Sequence, residues 1–127
     1  MTRFLLVCLG SAAGGGARYL LAGWLATALG PAFPWGTLAV NVLGSFLVAV
    51  LMYAGVEAAA LSPDLRVALT AGVMAGFTTF STFSYETMKY LQDGAVWLAA
   101  ANVLANVFAC LAACFLGWLA ARWLLGG

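Results

Sequence analysis

Residues 76–87 read GFTTFSTFSYET, a polar run set in an otherwise apolar chain. Seven of its twelve side chains carry a hydroxyl: Thr78, Thr79, Ser81, Thr82, Ser84, Tyr85 and Thr87. Phe77, Phe80 and Phe83 interrupt them at a spacing of three. On a helix those hydroxyls point in every direction, so no single partner satisfies them all. Ser and Thr can instead bond backbone groups released where a helix breaks, which is how non-helical backbone survives at membrane depth. The stretch therefore predicts a membrane-spanning helix broken around residues 75–79, near its midpoint, with carbonyls and N–H groups exposed. In transporters such breaks coordinate ions.

The membrane setting follows from composition. Of 127 residues, 65% are hydrophobic and 7% charged, none is histidine, and the mean hydropathy is +1.06. A soluble domain is about half apolar and about a quarter charged, so this chain is an all-α integral membrane protein. With about 20 apolar residues per span, four spans fit, at about residues 4–29, 35–56, 65–91 and 95–125, in a single domain covering 1–127. Gly30-Pro31 and Phe33-Pro34 end the first, Ser62-Pro63-Asp64 introduces the third, and Asp93-Gly94 turns into the fourth. FLLVCLG followed by SAAGG has the look of a signal peptide, but YLLAGWLATAL continues the apolar run into one long span. An even span count puts both termini on one side, with Arg3, Arg66 and Arg122, and leaves Lys89 opposite. So few charges specify orientation weakly, and insertion both ways up is open.

Several function classes drop out. A net charge of +1 without a basic run excludes nucleic acid as a partner. Cys8, Cys110 and Cys114 lack a CxxC pattern and any histidine, so they read as small hydrophobes rather than a metal site. No base–nucleophile pair or phosphate loop is visible, so the chain is not an enzyme. A proton-coupled multidrug exporter of this size needs an acid deep in the first span, where this chain has Arg18; Glu57, Asp64, Glu86 and Asp93 lie toward span ends or connections. A non-conducting scaffold would need no hydroxyl-rich break.

The remaining polar groups at depth mark the candidate site. Arg18 either snorkels to an interface or places a fixed positive charge beside a wet cavity. Thr37, Asn41 and Ser45 share a helical face; Asn41 either glues helices together or donates to an anion. Asn102, Asn106, Cys110 and Cys114 also step by four, with Asn106 the best donor among them. Gly10/Gly14 and Gly72/Gly76 are GxxxG pairs suited to close helix packing. Phe80 and Phe83 project on one side, as core packing or as a lining whose electropositive ring edges suit an anion. Glu86 is expected near an interface or bonded to the hydroxyl cluster.

GSAAGGGARY in the first span, GTLAVNVLGSF in the second and GFTTFSTFSYE in the third together resemble the Fluc (CrcB) family of small fluoride channels. The resemblance covers nearly the whole chain and implies an antiparallel, dual-topology homodimer of four-helix subunits in a prokaryotic plasma (inner) membrane. Two pores along the subunit interface would export fluoride passively. It implies that Phe80 and Phe83 meet fluoride with their ring edges, with Asn41 as amide donor, Ser81 and Thr82 close by, and Arg18 as vestibule cation. It further implies a structural sodium ion at the dimer axis, held by main-chain carbonyls of Ala75 and Thr78, with Ala75 where the family commonly has glycine. Asn106, Cys110 and Cys114 resemble the family's polar track of Ser and Thr. A thiol is larger and a weaker donor, so the track works with fewer donors or conduction is slower.

Overall fold

The computed structural model describes residues 1–126, and every regular element among them is helical. Helix α1 spans Thr2–Leu29 and α2 spans Trp35–Glu57, widening to a π-helical turn over Tyr53–Glu57. The third span, Pro63–Gln92, is two helices. Its first half, α3, covers 63–77 and includes a π stretch at Ala68–Met74; its second, α4, covers Phe80–Gln92. Helix α5 spans Val96–Leu125. Among the described residues these make four spans long and apolar enough to cross a membrane.

Local chemistry sets the ends. Gly30 takes φ 82° after α1, and Pro31 cannot continue the helix. The Ser62 hydroxyl accepts from the Leu65 N–H at 3.4 Å, with Pro63 in the first turn of α3. Gly94, at φ 74°, turns the chain into α5. Arg3 pairs with Asp64, and Trp118 donates to Glu57, at the end holding both chain termini. At the other end Tyr90 donates to the Ala32 carbonyl.

Large apolar side chains such as Phe4, Trp24, Phe108, Phe115 and Trp123 face outward, while the buried positions are largely small: Gly14, Ala49, Ala99, Ala113 and Ala121. This inverts the soluble pattern, because lipid tails are as apolar as leucine and helices associate instead by close packing and hydrogen bonds. Helix α1 lies backbone to backbone against α3 through both GxxxG pairs. A Cβ on Gly10 would stand 2.7 Å from the Ala68 carbonyl oxygen, and one on Gly76 2.5 Å from that of Ser11. Gly14 is tighter still, against the Val73 carbonyl. Helix α2 packs closely on α5, where Gly117 fits under the Phe46 carbonyl, and Val40 of α2 is fully buried.

The break is narrower than the sequence suggests. Ala75–Phe77 is still helical, and only Thr78 and Thr79 are extended. The helical ladder reaches that far because the Thr78 N–H still bonds the Met74 carbonyl at 3.0 Å.

Candidate functional site

Thr78 (φ −85°, ψ 160°) and Thr79 (φ −152°, ψ 111°) leave backbone groups to be satisfied at membrane depth. Asn41 on α2 takes both from Thr79. Its Oδ1 accepts the Thr79 N–H at 2.8 Å, and its Nδ2 donates to the Thr79 carbonyl at 3.2 Å. One side-chain amide thus pairs with a residue's N–H and C=O as a neighbouring strand would. The N–H that would have closed onto the Ala75 carbonyl goes to Asn41 instead. Arg18 Nη1 reaches the Thr78 carbonyl at 3.4 Å from α1.

The hydroxyls behave differently from expectation. Thr79 does serve the break: its Oγ1 accepts the Thr82 N–H at 3.2 Å, capping α4, and also contacts Thr82 Oγ1 at 2.9 Å and Ser81 Oγ at 3.3 Å. Thr78, Ser84 and Thr87, however, each bond the carbonyl four residues back, at 3.0, 2.9 and 2.8 Å. Such a carbonyl is always within reach of a helical Ser or Thr. The distant amide of Asn41 therefore does most of what the local hydroxyls were expected to do.

From Asn41 a relay of amides runs onto α5. Asn41 Nδ2 donates to Asn106 Oδ1 at 3.0 Å, and Asn106 Nδ2 donates to both the Asn102 carbonyl and Oδ1, each at 3.0 Å. Asn102 is 0% exposed and donates to Thr87 Oγ1 at 2.9 Å. Earlier on α2, Thr37 donates to Glu86 Oε1 at 2.7 Å; Glu86 Oε2 is buried without a protein partner.

Beside this relay lies a cavity of about 550 Å³, walled by Asn41, Ser45, Ala75, Thr78, Asn106 and Cys110 among others, with Phe80 and Phe83. The two rings pack at 5.3 Å between centroids and 54°. Phe83 is 8% exposed, while Phe80, at 78%, stands out from the subunit. No charged side chain lines this cavity among the described residues, so an ion there meets dipoles only. A second cavity of about 460 Å³, reaching Cys114, Tyr53, Glu57 and Trp118, shares Val48 and Leu111 with the first. The two form one furrow along α2 and α5, with α3, the break and α4 completing the wall of the first cavity.

Asn41, Phe80, Phe83, Asn106 and Cys110 thus meet around one space, with the Ala75 and Thr78 residues on its wall; Cys114 lies further along. Ser81 and Thr82 are exposed and Arg18 approaches from α1, so none of the three is a wall residue. Sequence reasoning missed Thr79 as hub and cap and Thr87 as the end of the relay. The signal for Thr79 was its place three residues before Thr82 at a helix start.

A family model described as CrcB-like protein, Camphor Resistance (CrcB), matches residues 5–118. The chain belongs to the CrcB-like family. It is 56% identical over 126 residues to a fluoride-specific ion channel FluC of Anaeromyxobacter dehalogenans, covering 99% of this chain and 100% of that one. A protein of the same name in Geobacter sulfurreducens is 52% identical over 122 residues, 96% of this chain and 98% of the relative. One in Pelobacter propionicus is 46% identical over 127 residues, 100% and 98%. With four membrane-capable spans and bacterial relatives, this CrcB-like chain is a multi-pass prokaryotic membrane protein.

Proposed function

We propose that this protein is a fluoride-selective channel that lets the ion leave the cell down its gradient. Relatives similar over their whole length carry the name of fluoride channels. The observation that carries the reading is the uncharged first cavity beside the helix break, walled by amides and two phenylalanines. Fluoride is small and strongly hydrated, so a conduit has to replace its water with donors while binding weakly enough to release it. Asn41 suits that exchange: its Nδ2 can trade the Asn106 bond for an anion while Oδ1 keeps the Thr79 N–H. Phenyl ring edges offer a further weakly positive, dry surface.

The working unit in this proposal is an antiparallel homodimer. Phe80 stands exposed on the subunit's outer side, and a two-fold-related copy would close the furrow on each subunit, giving two pores. The sparse charge bias suits insertion in both orientations. A sodium ion on that axis would take the Ala75 and Thr78 carbonyls from each copy. Ala75 sits at φ −65°, ψ −35°, a right-handed backbone where alanine adds no strain, and its carbonyl has lost its usual helical partner to the break. Arg18 occupies one side of the Thr78 carbonyl, whose second lone pair stays available. Asn106, Cys110 and Cys114 continue the path, and Arg18 adds positive potential near the break.

Fluoride efflux from liposomes holding the purified protein, read with a fluoride electrode beside chloride efflux, tests the proposal. Fast fluoride release, little chloride, and loss of flux in Phe80→Ile are the expected results. Folded protein that passes no fluoride overturns it.

A further inference from the structure

Every fourth residue of α5 from Asn102 onward carries a hydrogen-bond donor: Asn102, Asn106, Cys110, Cys114, Trp118 and Arg122. A spacing of four sets successive members one above another along the helix. Asn106 and Cys110 line the first cavity, and Cys114 and Trp118 line the second. The donors are unequal. A thiol is a weak one, whereas the indole N–H of Trp118 donates well and accepts nothing. Past two thiols, the furrow therefore regains a strong donor as it runs toward the end that holds both chain termini.

That donor is already engaged, and by an anion. Trp118 Nε1 on α5 donates to Glu57 Oε1 on α2 at 3.4 Å. Among the described residues Glu57 is the one charged side chain on the wall of either cavity. The Arg122 guanidinium stands 5.3 Å from the centroid of the same indole, a cation–π contact that adds positive charge beside the donor. A donor, a neighbouring cation and a seated carboxylate oxygen are the parts of an anion site with its occupant on a tether. The tether is loose. Hydrogen bonds to a carboxylate commonly run at about 2.7–2.9 Å, and Glu57 is exposed, so leaving the site costs it no burial.

We propose that Trp118 Nε1 is the donor of a second small-anion site, at the terminal end of the furrow, and that the Glu57 carboxylate holds this site as a tethered competitor. A fluoride ion arriving there displaces the carboxylate into water and takes the indole N–H. When the carboxylate returns, the ion is expelled rather than trapped, which meets the need for a site that an ion can enter and leave. The effect on flux rests on the proposed function; the anion site itself does not.

The test reads the indole N–H signals of nitrogen-15-labelled protein by NMR, one for each of the five tryptophans. Trp118 is the signal lost in Trp118→Phe, which keeps an aromatic ring and removes the donor. Should that variant not fold, single replacement of the exposed Trp24, Trp35, Trp97 and Trp123 assigns the signal by elimination. Titrating fluoride against gluconate at constant ionic strength should shift the Trp118 signal and leave the others in place. In Glu57→Ala that signal should move before any fluoride is added. Its fluoride midpoint should then fall about fivefold, the factor that one unit charge at contact is worth in water. Fluoride efflux through Glu57→Ala should rise by a like factor at low ionic strength and lose the gain in about 1 M salt. Adding Trp118→Phe to Glu57→Ala should abolish the gain. A Trp118 signal that ignores fluoride in both proteins, or five signals that move alike, overturns the site. A fluoride midpoint unchanged by Glu57→Ala overturns the competition. A Trp118 signal that follows fluoride in folded protein that never conducts upholds the site and overturns the channel reading instead.

Discussion

The α1/α3 seam and the α2/α5 furrow solve the same membrane problem in opposite ways. Along the first, Gly10, Gly14, Gly72 and Gly76 remove side chains so that two backbones touch. Along the second, the Asn41 amide replaces the missing backbone bonds of Thr79, and Asn106 and Asn102 extend it into a side-chain relay. A seam of touching backbones has no slack, so it can only hold the subunit together. An amide relay can exchange partners without moving a helix, which is what a site that receives and releases an ion requires.

The sharpest way to break the comparison is to add atoms to the seam. Gly14→Val is expected to have the largest effect, because its Cβ meets the Val73 carbonyl oxygen, which is backbone and cannot rotate away. The cost should lie at or above the top of the about 1–3 kcal/mol typical of overpacking, read as loss of monodisperse protein in detergent. Gly16→Val is the control: nothing lies within 4 Å of its added Cβ, and yield and flux should be unchanged. Equal loss in both variants would mean that the seam is not what makes Gly14 indispensable.

Next comes Asn41→Leu in the furrow. It leaves the Thr79 N–H and C=O unpaired at membrane depth, at a cost of order several kcal/mol for such groups, and it removes the amide assigned to fluoride. Thermal stability should fall measurably and fluoride efflux by more than about tenfold.

These variants also mark what the sequence made legible. Four spans and a mid-membrane break were readable because apolar run length, Gly-Pro punctuation and a dense hydroxyl cluster each have a local cause. The GxxxG pairs were visible too, but not that they face each other, since sequence spacing defines a helix face and not its neighbour. Asn41 was singled out by depth and helical register. That its amide would clamp Thr79, some 38 residues away, depends on how α2 packs against the break, which no local pattern encodes. The hydroxyls were over-read for the converse reason: a carbonyl four residues back is always nearer than a distant helix.

A smaller effect is expected from Asn102→Val. It removes the bonds to Thr87 and Asn106 but leaves no backbone group of the break unpaired. Interhelical side-chain bonds in membranes are worth about 0.6 kcal/mol on average and about 1.7 at most, so the melting temperature should drop less than in Asn41→Leu. If the relay orients Asn106, fluoride flux should fall modestly, and Asn102→Gln should not restore it. A stability loss as large as that of Asn41→Leu would show that the relay, rather than the clamp on Thr79, supports the break.

The smallest effect belongs to a pair outside both regions. Arg3 and Asp64 approach to 2.6 Å, a distance that invites a claim of strong pairing, yet both side chains are more than half exposed, at 64% and 52%. Exposed ion pairs contribute about 0–1 kcal/mol, because water and salt screen them and two long side chains must be ordered to form them. Asp64→Asn should therefore leave the melting temperature and the fluoride flux unchanged within error, at low and at high salt. A salt-dependent loss of stability in that variant would mean that the connection between α2 and α3 is held by charge. The Ser62 cap and the backbone packing of α1 on α3 would then not be enough to fix how the third span begins.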